Sequence, residues 1–205
     1  MSKLIYLFLT INLFLIACNE ADDANTTSIR AVTIKNLPAD PPTGYDPATG
    51  RPIGETGKFT FFRLSDSSIV SNADSATNKW DIAFRSSTII VNSGTSGPGN
   101  GGAYVFNGAF TDVLQVHSDS IFYVDAAPNQ FAIGKTWYNY DGAAMVFAPK
   151  PGKTIVIRSA EGKYAKLEIL SYYKDAPISP NAFSDQARFY TFRYVYQADG
   201  TKKFE

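Results

Sequence analysis

The chain has 205 residues, of which 19 are basic and 19 acidic, so its formal net charge is zero. A balanced charge argues against the basic face of a nucleic-acid-binding protein and against a basic patch that would hold the chain on a membrane. The 15 Phe, 12 Tyr and 2 Trp residues, with few helix-favouring runs beside them, suit pleated and half-buried surfaces. The composition therefore predicts an all-β, or at least β-rich, protein.

The first residues have the pattern of a bacterial lipoprotein signal. Lys3 precedes the apolar-rich run 4–16, which is shorter than the roughly 20 residues that a membrane-spanning helix needs. Ala17 then supplies a small residue, and Cys18, the single cysteine, supplies a thiol for acylation. We predict a signal peptide over residues 1–17 and a lipid anchor on Cys18. The alternative is an ordinary secretory signal followed by a chance cysteine.

The segment after the signal is predicted to be a tether. Residues 19–28 are small, polar and acidic, and they carry too little apolar surface to offset the entropy lost on ordering. We extend this flexible region over residues 18–35. Residues 36–57 are rich in Pro and Gly, which predicts loops and turns. No later shift in composition marks a boundary, so residues 36–205 are predicted to form one domain.

Regular structure is predicted from Lys58 onward, where aromatic and β-branched residues dominate. Alternation over residues 79–85 would place Trp80, Ile82 and Phe84 on one face of a strand. Residues 110–116 predict one or two helical turns. The predicted strands cover residues 58–64, 79–85, 88–91, 103–106, 136–140, 144–148, 153–159, 164–173 and 188–197.

No motif in the chain favours catalysis. Residues 97–102 match the spacing of a dinucleotide-binding fingerprint, but that chemistry requires a helix immediately afterwards, and residues 103–106 predict a strand. The single histidine, His117, cannot be assigned to a triad or a zinc site from its neighbours. Asp81 and Asp141 have ordinary explanations at a strand edge and in a turn. We therefore predict that the protein is not an enzyme.

Two side chains of the mature chain can bind a transition metal as soft ligands, His117 and Met145, because Met1 leaves with the signal peptide. Their residue types alone favour an exposed histidine in a polar stretch and a methionine packed in the core.

Several stretches together resemble the HmuY-like family of Bacteroidota surface lipoproteins. They cover most of residues 55–205 in a consistent order, and the predicted lipid anchor agrees with this resemblance. The stretches are Trp80–Arg85 (WDIAFR), Ile90–Val105, Phe110–Val113 (FTDV), Trp137–Asp141 (WYNYD), Ile155–Tyr173 and Tyr190–Phe204.

The resemblance implies a single all-β domain of antiparallel strands, with finger-like loops that form a ligand cleft. Members of this family that have been characterised are hemophores, which bind haem without catalysis and pass it to a TonB-dependent outer-membrane receptor. Their iron is held by His or Met side chains from two segments. His117 and Met145 occupy the corresponding regions and are the predicted axial ligands of haem, a role that suits both residue types. Alternative oxygen donors are Tyr123, Tyr138 and Tyr140.

The resemblance places the protein in the outer membrane, lipid-anchored through Cys18 and exposed at the cell surface. The competing hypothesis keeps the same scaffold and the same anchor. In it, the protein binds a glycan, a peptide or a partner protein and takes no haem.

Overall fold

The computed structural model describes residues 29–49, 51–127, 130–134 and 136–205. The predicted signal peptide, Cys18 and most of the predicted tether lie outside the described residues. In the part that is described, no helix has the length and apolar character needed to cross a membrane. The described strands are β1 (Val32–Pro38), β2 (Gly44–Tyr45), β3 (Pro52–Ile53), β4 (Thr60–Arg63), β5 (Ser68–Val70), β6 (Ile82–Arg85), β7 (Thr88–Val91), β8 (Gly102–Asn107), β9 (Tyr138–Asp141), β10 (Val146–Pro149), β11 (Lys153–Arg158), β12 (Tyr164–Tyr173) and β13 (Ala187–Gln197).

The strands form two main sheets and two small hairpins, and their pairings are antiparallel. The larger sheet has the order β1-β13-β12-β11-β8, and the smaller one has the order β5-β4-β6-β7. The hairpins are β2–β3 and β9–β10. Short 3-10 helices cover Asn72–Asp74 and Phe110–Asp112. This architecture confirms the predicted all-β class.

The two main sheets share one hydrophobic core. Ile155 and Ile157 of β11 point to the same side of the larger sheet and belong to one buried cluster with Phe62 and Phe84 of the smaller sheet. Phe192 of β13 connects the two layers, with its ring centroid 5.4 Å from that of Phe84 and 5.6 Å from that of Phe62. Burial of these large aromatic rings is the main stabilisation of the fold.

The opposite side of the larger sheet carries a second cluster, which we call the outer-face cluster. It contains Phe110, Val113, Val116, Val156, Val195 and Phe204. Val156 lies between Ile155 and Ile157 in β11, so strand alternation explains why it faces the other way. The chain from Phe110 to Val116 therefore covers the face of the sheet that is turned away from the main core.

Most strands lie where the sequence predicts them, and β7 and β12 have the predicted bounds. The tether boundary at Lys35 is wrong, because β1 begins at Val32. The alternating apolar residues of β1 pair with the edge of β13, where Ile34 lies opposite Phe192 and packs against the core. Burial of that side chain offsets the entropy of ordering these residues.

The predicted face of Trp80 is also wrong. Trp80 packs with Phe61, Ala83 and Ile90, whereas Ile82 belongs to the main core. The reason is that β6 begins only at Ile82, after a bend at Asp81. The Asp81 carboxylate there accepts hydrogen bonds from the backbone N–H groups of Leu64 and Ala160, each at 2.9 Å. The strand alternation therefore does not extend back through the bend.

The glycine-rich loop between β7 and β8 is tightly packed around Asn92. The fully buried Asn92 side chain donates to the carbonyl groups of Thr77 (2.9 Å) and Trp80 (2.7 Å) and accepts from the N–H of Gly99 (2.9 Å). A Cβ atom at Gly97 would lie 2.2 Å from the Asn92 Oδ1 atom. The glycines of the apparent fingerprint therefore allow close backbone packing in a structural loop.

We expect Asn92→Ala to lower the free energy of unfolding by about 2–4 kcal/mol, because it leaves one buried carbonyl group, one partly buried carbonyl group and one partly buried N–H without their side-chain partner. Urea denaturation followed by circular dichroism measures the change. Asn100→Ala is the control, since Asn100 is exposed in the same loop, and it should change stability by less than about 0.5 kcal/mol. Equal effects of the two substitutions would contradict this account of the loop.

Candidate functional site

An aromatic cleft of about 540 Å³ opens at the end of the fold where β12 stops and β13 starts. Its volume lies within the usual range for small-molecule sites. Its walls come from the β2–β3 hairpin, the β9–β10 hairpin, the β6–β7 turn, and the facing ends of β12 and β13 with the loop between them. The lining residues are Pro42, Tyr45, Pro52, Ser86, Tyr140, Met145, Phe147, Tyr172, Tyr173, Ala182, Phe183, Ala187 and Arg188.

An irregularity in β12 turns two consecutive tyrosines into the cleft. The pairing of β12 with β13 shifts register between Ile169 and Ser171 and again between Ser171 and Tyr173. The Ser171 hydroxyl accepts a hydrogen bond from the Tyr173 N–H at 3.0 Å and donates one to the Tyr173 carbonyl at 3.2 Å. As a result, Tyr172 and Tyr173 both belong to the main core and both line the cleft. A regular strand would place them on opposite faces.

The β9–β10 hairpin presents Met145 to the cleft. The Asp141 carboxylate accepts hydrogen bonds from the N–H groups of Ala143 (2.9 Å) and Ala144 (3.0 Å), which fixes the turn. Met145 follows with a φ of 56°, a left-handed conformation that favours glycine. Its side chain is 45% exposed. The hairpin thus places a thioether at the cleft wall where solvent and ligands can reach it.

The hairpin is fixed to the rest of the fold through Phe147. The Phe147 N–H donates to the Tyr173 hydroxyl at 3.1 Å. The Phe147 ring centroid lies 4.7 Å from that of Tyr140 and 5.1 Å from that of Tyr172. A continuous aromatic wall therefore extends from the exposed Tyr140 to the buried Tyr172, and it can hold a flat apolar ligand.

The buried side of the cleft is a network of hydroxyl groups around Ser86. The Tyr172 hydroxyl lies 3.4 Å from the Ser86 Oγ atom, and the Tyr190 hydroxyl donates to the Ser86 carbonyl at 2.8 Å. Burial raises the pKa of Tyr172 to about 12 and that of Tyr190 well above its ordinary value. Both phenols therefore stay protonated across the physiological range.

Arg188 is the single charged residue among the described residues that line the cleft. Its Nη1 group donates to the Asp40 carbonyl at 3.0 Å and forms an ion pair with Glu55. The Asp40 carboxylate accepts hydrogen bonds from Thr56 and Gly57. Although burial opposes ionisation, these bonds and the Arg188 charge lower the pKa of Asp40. Arg188 and Glu55 lie 133 residues apart in the chain, and no pattern in the sequence connects them or marks either as a site residue.

The structure does not bring His117 and Met145 together. His117 is exposed and follows Val116, which belongs to the outer-face cluster. The Val116 N–H donates to the Lys202 carbonyl at 2.7 Å, and the Lys202 ammonium lies 5.9 Å from the Tyr164 ring. Tyr164 and the cleft residue Tyr172 are separated by roughly 26 Å along β12, at about 3.3 Å per residue. His117 therefore lies on the other face of the sheet and towards its other end.

The alternative oxygen donors occupy three different environments. Tyr140 lines the cleft and is 52% exposed. Tyr138 is buried against Trp137, and Tyr123 is an exposed residue bridged to Ala103 of β8. Among the described residues, no group of three or more His, Cys, Asp or Glu side chains could hold a metal ion. Met145 and Tyr140 are thus the predicted donor residues that the structure places at the cleft.

Two buried carboxylates, Asp81 and Asp125, support the fold and do not line the cleft. Asp125 accepts hydrogen bonds from the N–H groups of Val91 (3.0 Å) and Ala132 (2.8 Å). Burial raises the pKa of both carboxyl groups, and the backbone N–H donors partly oppose that shift. Their hydrogen bonds to the backbone of separate segments indicate a structural role.

The raised pKa of Tyr172 predicts a loss of stability in alkali. The unfolded chain releases this proton at a pKa of 10.0, while the folded protein retains it up to about 12. The contribution of Tyr172 to the free energy of unfolding is complete below pH 10 and falls as the pH rises towards 12. At pH 11 about 1.4 kcal/mol of it has been lost. Denaturant unfolding at pH 8 and pH 11 should show that Tyr172→Phe loses less stability than the unsubstituted protein. The exposed Tyr45→Phe is the control, and identical losses in both variants would contradict the assignment.

Comparison with known proteins identifies the family. The model of the HmuY protein family matches residues 55–194. No curated protein matches the sequence significantly. Similar solved structures include a proposed HmuY-like haem-binding protein from Bacteroides vulgatus ATCC 8482, with 13% identity and a TM-score of 0.48 over 83% of this chain and 92% of that one.

Two further structures are similar. A proposed lipoprotein from Bacteroides fragilis NCTC 9343 shows 16% identity and a TM-score of 0.46 over 84% of this chain and 91% of that one. The apo form of the HmuY analogue TFO from Tannerella forsythia shows 15% identity and a TM-score of 0.46 over 82% of this chain and 95% of that one. The family match covers more than half of the sequence, and the chain is therefore a member of the HmuY family.

Proposed function

We propose that this protein binds haem in the aromatic cleft, without catalysing a reaction, and delivers it to an outer-membrane receptor. The observation that carries the proposal is the position of Met145, a half-exposed thioether on the wall of an aromatic cleft of suitable volume. Methionine is an ordinary axial ligand of haem iron. The family to which the chain belongs supports the same ligand class.

The residues of the cleft fit the chemistry of haem. When bound, haem supplies a flat apolar macrocycle, an iron atom with axial positions, and two propionate carboxylates. Tyr140, Phe147 and Tyr172 offer apolar faces for the macrocycle. Met145 offers sulfur to the iron, and Arg188 offers a positive charge to a carboxylate.

The left-handed backbone at Met145 provides a way to test the role of its side chain. A non-glycine residue in this conformation costs about 1–2 kcal/mol, and glycine would remove that cost. Other positive-φ positions are held by glycine, such as Gly152 and Gly162, and by other residues, such as Asn36 and Ser67. Replacing Met145 by glycine therefore removes the sulfur without adding backbone strain, which makes this substitution a clean test of the side chain.

Membrane attachment is the second part of the proposal. We place the protein on the cell surface, held by acyl chains on Cys18, with the described strands beginning at Val32. The intervening residues would let the cleft reach a haem source and a receptor. The receptor itself is proposed from the resemblance of the sequence to hemophores.

A hemin titration followed by visible absorption tests the function and the ligand together. The purified protein should give a saturable one-to-one complex with a sharp Soret band. Met145→Leu keeps the size of the side chain but removes the sulfur, so it should shift the band and weaken binding by at least about tenfold, equivalent to about 1.4 kcal/mol. Met145→Gly should do the same while leaving the protein at least as stable, because glycine suits the backbone conformation.

Two further results decide between the alternatives. His117 stays the sequence-predicted second axial ligand, and His117→Ala tests it. Because His117 lies on the other face of the sheet from the cleft, this variant should keep the Soret band unchanged. A changed band would support His117 and Met145 as the two axial ligands. Weak and non-saturating absorption with the unsubstituted protein would overturn haem binding. It would favour a surface protein that binds a glycan, a peptide or a partner protein.

A further inference from the structure

We propose that Arg188 anchors a carboxylate of the ligand and that this carboxylate displaces Glu55 from Arg188. The inference rests on the proposed function in taking a porphyrin as the ligand, and it adds a recognition site for the acidic edge of that molecule. The cleft would thus be selective for a flat aromatic acid over its neutral ester.

The first support is the isolation of the charge. Arg188 is the one charged side chain on a wall that is otherwise aromatic, apolar or hydroxyl-bearing, among the described lining residues. Its side chain is only 16% exposed, so water contributes little to stabilising the guanidinium. A partly buried cation needs an anionic partner, and an aromatic acid entering the cleft would bring one to it.

The second support is the unequal exposure of the two partners in the ion pair. The Glu55 side chain is 37% exposed, more than twice the value for Arg188. Glu55 can therefore leave the pair and regain hydration, whereas Arg188 cannot leave the cleft as easily. Exchange of one carboxylate for another keeps the guanidinium paired throughout, so the cost of breaking the Arg188–Glu55 contact is largely recovered.

The third support is the backbone of β13 at Arg188. Its φ of 68° lies in the left-handed region, within the segment where the register between β12 and β13 shifts. Irregularities of this kind redirect side chains near binding sites. The Asp40 carbonyl holds the Nη1 group at 3.0 Å, and the planar guanidinium carries other N–H donors that suit a carboxylate.

The negative groups near the cleft influence how strongly an anionic ligand binds compared with a neutral one. Besides Glu55, Asp185 lies close enough to contribute, after burial, to the raised pKa of Tyr173. The Asp40 carboxylate is occupied by hydrogen bonds from Thr56 and Gly57. An anionic ligand is therefore attracted by the charge of Arg188 and repelled by the charges of Glu55 and Asp185. Removing the Glu55 charge should strengthen binding of the acid.

The test compares iron-free protoporphyrin IX with its dimethyl ester, measured by fluorescence quenching on the purified protein. Because neither probe contains iron, the result does not depend on Met145 ligation. The acid should bind about tenfold or more tightly than the ester, as expected when a charge-assisted hydrogen bond is lost. Arg188→Met should reduce binding of the acid to the level of the ester.

Glu55→Gln should change the affinity for the acid in the opposite direction. It tests the anchor even if the Arg188 variant does not fold. It should bind the acid several-fold more tightly and leave the ester unchanged. Arg51→Met is the matched control, because Arg51 is an exposed arginine on the neighbouring β2–β3 segment and does not line the cleft. It should leave the affinity for both probes unchanged.

The possible results distinguish failure of the carboxylate anchor from failure of the proposed function. If acid and ester bind equally, or if Glu55→Gln has no effect on the acid, the carboxylate anchor is wrong even where hemin binds through Met145. If the acid binds through Arg188 but hemin binding does not depend on Met145, the anchor stands and the assigned iron ligand fails. If neither porphyrin nor hemin binds, the proposed function and the anchor both fail.

Discussion

The irregular pairing of β12 with β13 is the constraint on which the cleft depends. Leu170 is the extra residue between two paired positions, and the Ser171 hydroxyl replaces the regular ladder by bonding to the backbone of Tyr173. Both tyrosines can then face the same side. Tyr172 reaches the network around Ser86, and Tyr173 receives the N–H of Phe147 from the β9–β10 hairpin. In a regular strand one of these two contacts would be lost, and the hairpin and the sheet would not close around one space.

Away from the cleft, buried polar side chains hold the connecting segments in place. Asp81, Asn92 and Asp125 each satisfy backbone groups from at least two separate segments. Satisfied networks of this kind specify one arrangement of the chain, because a partner lost in a low-dielectric interior is costly. These connecting segments are therefore held in one arrangement, while the cleft walls keep half-exposed side chains such as Tyr140 and Met145.

The sequence predicts local features well and long-range contacts poorly. The β-branched run of β7 and the long apolar alternation of β12 define their own bounds, and the resemblance to the HmuY-like family places Met145 in a candidate ligand region. The face of Trp80 depends on a carboxylate that bonds to a backbone group 79 residues away. The ion pair of Arg188 joins positions 133 residues apart. Neither contact leaves a local pattern, and nothing local shows that His117 lies across the sheet from the cleft.

Left-handed backbone brings three different functional groups to the wall of the cleft. Ser86, Met145 and Arg188 all have positive φ values and all line the cleft, although none is glycine. In the turns at Gly152 and Gly162 the same backbone region is occupied by glycine, which bears no such cost, but Ser67 and Ala176 adopt it without lining the cleft. Positive φ therefore does not by itself distinguish the cleft from other turns of the chain. At the cleft it directs a hydroxyl, a thioether and a guanidinium towards one space, at a cost of about 1–3 kcal/mol for each residue, and the shared core of the two sheets offsets that strain.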